Sequence, residues 1–107
     1  MKKTKTNRGF SIYLFKDRLG ENCSIQKSSL ATEDAIWIGV NDVTPKIMCR
    51  DAIKLGIRKS TGGAEDNGWC NYIIPKEVLL SSRMELTQEQ VRELLPILQK
   101  FVNTGEV

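Results

Sequence analysis

Histidine is absent from this 107-residue chain, and with it the side chain that most often moves protons near neutral pH. Serine–histidine and cysteine–histidine nucleophile pairs are thereby excluded. A zinc site is not expected either, because Cys23, Cys49 and Cys70 form no CxxC pair. No apolar run approaches the roughly 20 residues of a membrane-spanning helix, so no membrane association is expected. The basic opening MKKTKTNR is followed by no apolar stretch of roughly 7–15 residues, so it does not read as a secretory signal. Cysteines that are odd in number and widely spaced argue against a disulfide framework. Reduced thiols and a cytoplasmic setting are the expectation.

What is present suits a globular protein. Hydrophobic residues make up 40% and charged residues 27%, which excludes wholesale disorder. The length fits one domain, and a chain of this size usually buries about two thirds of its unfolded surface. The net charge of +3 is unevenly placed, since Lys2, Lys3, Lys5 and Arg8 all fall in the first eight residues. The remainder is close to neutral, so bulk charge does not mark it as a nucleic-acid surface. Residues 1–8 therefore read as a basic, flexible arm and residues 9–107 as a single α+β domain.

The period of the apolar residues gives the elements. Residues 9–16 (GFSIYLFK) and 21–28 alternate around a turn at Asp17–Gly20 and predict a β-hairpin. Residues 22, 24 and 26 form a polar face on the second strand. Residues 35–40 (AIWIGV) predict a central strand, with Ile36, Ile38 and Val40 on one face and Trp37 on the other. A short strand is expected at 46–49, a helical turn or a loop at 50–56, and a last strand at 78–86. Residues 58–68 (RKSTGGAEDNG) read as an exposed flexible loop. Near the C-terminus Thr87 and Gln90 form a capping box. Val91, Leu94, Leu95, Leu98, Phe101 and Val102 follow helical spacing, and Gly105 suits the stop. Pro96 predicts a kink. The fold class is α+β: a mainly antiparallel sheet with a C-terminal amphipathic helix packed on it.

Candidate chemistry is sparse, and no residue qualifies as catalytic. Cys23 or Cys49 would be a nucleophile only beside a cation that lowers the thiol pKa, and a buried thiol is the plainer reading. Asp17 with Glu21, and Glu33 with Asp34, read as a solvated turn and a helix start. Thr61-Gly62-Gly63 lacks the spacing of a phosphate loop, and no metal or cofactor is implied. Arg83 is the more specific signal. It follows Ser81 and Ser82 and precedes the Thr87 cap by four residues, where hydroxyls, a guanidinium and the free N–H groups of a helix N-terminus can receive an anion. Pairing with Glu85 or Glu89 is the competing reading. Trp37, Trp69 and Tyr72 are candidates for stacking on a ring or for an interface. Core packing suits Trp37, and a ligand or partner contact suits Trp69, beside the loop.

Two stretches, FKDRLGENCSIQKSSLATEDAIWIG (15–39) and LLSSRMELTQEQVRELLPILQKFVNTGE (79–106), together resemble a family of small proteins carried by phages and prophages. The resemblance implies a setting in the host cytoplasm and a role in altering host processes, including antiviral defence, by binding. It carries no catalytic residues over. The leading expectation is a non-catalytic, homo-oligomeric binding protein that captures an anionic, nucleotide-like small molecule. A direct inhibitor of a host protein, using Trp69 and residues 58–68, is the alternative, and nucleic-acid binding through the basic arm is a weaker one. Oligomerisation is expected because a short open sheet leaves unpaired edges.

Overall fold

The alternating segments form strands close to their expected limits, except that the last strand, expected at 78–86, is confined to Arg83–Thr87. In the computed structural model, which describes residues 1–107, β1 spans Lys2–Lys5, β2 Ser11–Lys16, β3 Asn22–Lys27 and β4 Ala35–Val40. Next come β5 at Lys46–Met48, helix α1 at Cys49–Lys54, a 3-10 turn at Ala64–Asp66 and β6 at Trp69–Asn71. Strand β7 at Arg83–Thr87 and helix α2 at Gln88–Thr104 complete the chain. The α+β class is as expected.

The chain divides into two compact units. One comprises Met1–Asp42 with Ser81–Val107, and the other comprises Val43–Leu80. The first holds an antiparallel sheet in the order β1-β2-β3-β4-β7, followed by α2. The second holds the β5–β6 pair and α1.

Residues 1–8 differ from the expected flexible arm. Lys2–Lys5 pair antiparallel with β2, Lys3 opposite Tyr13 and Thr4 opposite Ile12. A turn closed by Thr6 N–H donating to the Phe10 carbonyl at 2.8 Å makes this possible, with Gly9 at φ +86°. A lysine-rich strand at a sheet edge discourages pairing with other chains. The same charges make it look like a solvated tail in sequence.

Register divides the first unit's sheet into two faces. Tyr13, Phe15, Ile25, Ile36, Ile38, Met84 and Leu86 share one, and the other, more polar face carries Ser24, Gln26, Arg83 and Glu85 beside Ile12, Leu14 and Trp37. Helix α2 begins with the expected capping box: Thr87 Oγ1 accepts from Gln90 N–H at 3.2 Å and Gln90 Oε1 accepts from Thr87 N–H at 2.9 Å. Its first turns lie against the apolar sheet face, where Val91 and Leu95 border a cleft with Ile36 and Leu86. Pro96 sits within one continuous helix that ends at Gly105, φ +75°. The rest of the helical stripe runs out into solvent, and no α2 residue is buried. Within one chain, little apolar burial offsets the roughly 3 kcal/mol that an internal proline costs.

Only Cys23, Ser24, Ser28 and Ala35 are buried in the first unit, and Cys49 and Ala52 in the second. No large apolar side chain is among them.

In the second unit Cys49 and Cys70 form a disulfide, with Cα atoms 5.3 Å apart. This corrects the expectation of three reduced thiols. The β5–β6 register sets Ile47 opposite Cys70 and Met48 opposite Trp69, and Cys49 N–H donates to the Gly68 carbonyl at 2.9 Å. Antiparallel pairing thus brings together two cysteines that lie far apart in sequence. Cys23 remains a free, buried thiol.

The glycine-rich segment is more ordered than its composition suggests. Asp66 accepts from Ser60 Oγ at 2.6 Å, from Thr61 N–H at 2.9 Å and from Gly62 N–H at 3.0 Å. The Ser60 hydroxyl first, then the Thr61 amide, hold its carboxyl well below the usual carboxylate range. A depressed acid contributes its stability above its unfolded pKa of about 3.9 and loses it as pH falls towards the lower folded value. Amide exchange at Thr61 and Gly62 is therefore expected to stay slow at neutral pH and to lose protection only well below pH ~4. Loss of protection at pH 5 to 6 would contradict this anchoring.

Candidate functional site

The polar face of the five-stranded sheet carries the most organised cluster. Alternation along β3 puts Ser24 and Gln26 on this face, and Trp37 on β4 and Arg83 on β7 join them. Arg83 opens β7 and lies opposite Gly39 in the register, while Ser24 lies opposite Gly39 from the other side. With no side chain at Gly39, the arginine reaches across β4 to β3. Its Nη1 donates to Gln26 Oε1 at 2.6 Å and to Ser24 Oγ at 3.4 Å. Its guanidinium carbon rests 5.7 Å from the centroid of the Trp37 ring, a cation–π separation.

Gly39 is tightly constrained. Its φ is +143°, and a Cβ there would stand 2.8 Å from the Ser82 carbonyl oxygen and 3.1 Å from Arg83 Cα. Glycine inside a strand marks such close backbone approach.

Arg83 has no acidic partner within ion-pair distance. The two acids that might have taken it are engaged elsewhere. Glu85 Oε2 accepts from the buried Ser28 hydroxyl at 2.6 Å, and Glu89 pairs with Arg92 on α2. The guanidinium is half-buried, held by neutral acceptors and an aromatic face.

The other expected site residues are distributed differently. Thr87 spends its hydroxyl on the helix cap. Four residues of extended strand, about 13 Å, separate it from Arg83. The expected grouping of Arg83 with the helix N-terminus is thus replaced by one with Trp37. Ser82 Oγ donates to the Asn41 carbonyl at 3.2 Å, and Ser81 is exposed. Trp69 and Tyr72 belong to the second unit, and Trp69 is 67% exposed. Cys49 is closed off as a nucleophile by its disulfide.

Three contributors carry only indirect signals in the sequence: Gly39, Ser24 and Gln26. The signals were present, in the glycine that interrupts AIWIGV and in the polar alternation of β3.

A concavity of about 460 Å³ lies where α2 leaves the sheet, bordered by Lys27, Asp34, Ile36, Leu86, Val91 and Arg92. Both of its cations are already paired. Lys27 Nζ meets Asp34 Oδ1 at 2.6 Å, and this hydrogen bond and charge lower the Asp34 pKa. Arg92 is held by Glu89. An anion would have to displace a carboxylate in either case, which makes the Arg83 face the stronger candidate.

No family model, curated protein or solved structure matches this chain.

Proposed function

We propose that this chain is a non-catalytic binding protein that captures an anionic, nucleotide-like small molecule on the Trp37–Arg83 face. One observation carries the reading: a half-buried guanidinium rests on an indole, with neutral hydrogen-bond partners and no carboxylate within ion-pair distance. A half-buried cation with no acidic partner favours an incoming anion, and a planar guanidinium offers phosphate a fork of parallel donors. An indole beside it suits a base or another flat ring.

The capture acts in a host cytoplasm and counters a defence signal, a setting that rests on the resemblance to small phage proteins. A cytoplasmic location also requires that the Cys49–Cys70 bond persist or be dispensable there. The working unit is a homo-oligomer.

Calorimetric titration of the whole protein with 5′-AMP and with a cyclic dinucleotide tests the site. Arg83→Ala is expected to weaken binding roughly 10- to 100-fold, as loss of a charge-assisted hydrogen bond implies. Arg83→Lys is expected to restore only part of it, since an ammonium keeps the charge but not the fork. Wild-type affinity in Arg83→Ala would remove the site.

The exposed Trp69 favours a second reading, a direct inhibitor of a host protein. Under that reading Trp69→Ala, and not Arg83→Ala, abolishes capture of the partner from lysate.

A further inference from the structure

We propose that a second copy of this chain covers the apolar stripe of α2, helix against helix across a two-fold axis. This is independent of the ligand reading.

The stripe is long and open. Leu95 is 57% exposed, Leu98 50%, Phe101 53% and Val102 76%, and together with Val91 and Leu94 they hold helical spacing over more than three turns. The helix is nevertheless well specified, by a capping box at one end and a left-handed glycine at the other. Beyond its first turns, the apolar stripe of this helix is left open within the chain.

The surface area gives the scale. A compact monomer of 12.1 kDa exposes about 6,000 Å², and two wholly separate globules the size of the two units would expose about 7,200 Å². This chain exposes 8751 Å². The excess over even the separate globules is about 1,500 Å². A stable interface takes roughly 800 Å² from each partner, which is less than this surplus.

Two features favour a copy of itself over another protein. A chain that buries no large apolar side chain alone needs its partner whenever it folds, and its own copy is always present. A two-fold contact also sets the same patch of both copies face to face, so unpaired charges of one sign along its flanks would repel. The flanks of the stripe are instead Gln88, Gln99 and Arg92 on one side and Gln90 and Ile97 on the other. Arg92 is neutralised by Glu89, and Glu93 and Lys100 fall on the opposite face of the helix.

Light scattering on the full chain is expected to give at least twice the 12.1 kDa chain mass, with a melting temperature that rises with protein concentration. Leu98→Asp is expected to lower the assembly mass, and Glu93→Gln, on the far face, to leave it unchanged. Should Leu98→Asp fail to fold, wild-type dilution still decides. A 12.1 kDa species with a concentration-independent melt overturns the proposal and assigns the stripe to another kind of partner. So does an assembly that survives Leu98→Asp.

Discussion

Reduction of the Cys49–Cys70 bond is expected to unfold the second unit while the five-stranded sheet persists. Val43–Leu80 is a 38-residue unit, and below about 40 residues a chain rarely buries enough apolar surface to fold without a staple. Its buried residues are only Cys49 and Ala52. Closing a loop of this length restricts the unfolded chain by about 3 kcal/mol, which amounts to most of what so small a unit can hold. Limited proteolysis with and without a phosphine reductant reads the effect directly. Cleavage within residues 43–80 should accelerate about 100-fold on reduction, with strands β2 to β4 unaffected. The paired substitution Cys49→Ser with Cys70→Ser should behave like the reduced protein. Unchanged cleavage would mean that the β5–β6 pair and α1 hold the unit without the bond.

Gly39→Ala should have the largest effect of any single methyl group added to the sheet. The new Cβ meets backbone, the Ser82 carbonyl at 2.8 Å and Arg83 Cα at 3.1 Å, and neither can swing aside as a flexible side chain can. A φ of +143° is also one that residues with a side chain rarely adopt. Strain and forced separation of β4 from β7 together cost about 2–3 kcal/mol, or roughly 10–20 °C in melting temperature for a domain of this size. The same change displaces Arg83 from Trp37 and Gln26, so ligand capture should fall even where the variant stays folded. An unshifted melt would show that the two strands do not approach so closely.

The parts of the fold that were legible in the sequence are those governed by local period. The hairpin of β2 and β3, the strand β4 and the capped helix α2 follow directly from alternation, turn residues and the Thr87–Gln90 box. What was not legible depends on pairing at a distance. Lys2–Lys5 form a strand only because a turn at Thr6–Phe10 folds them back onto β2. Cys49 and Cys70 meet only because β5 and β6 pair. Asp66 binds amides that look like flexible glycine-rich chain when read alone.

The site shows the same division. Arg83 stands out by type, and Trp37 by its place opposite the apolar face of β4. Their meeting depends on register, with Gly39 between them and β7 beginning at Arg83, inside the stretch 78–86 that the sequence pattern marks as a strand. Period-two alternation from Leu86 backwards sets Arg83 on the polar face, away from the helix stripe. Proximity in sequence to Thr87 pointed instead to the helix N-terminus. In an extended strand, sequence neighbours diverge quickly, and cross-strand partners decide the contact.

The Trp37–Arg83 face is proposed to hold an anion and release it unaltered. Native mass spectrometry of the whole protein mixed with the cyclic dinucleotide, followed by denaturing extraction, tests this most directly. The predicted result is one ligand bound per chain, recovered at its original mass, and lost from the Arg83→Ala protein. Recovery of more product than protein, or equal occupancy in Arg83→Ala, would contradict it.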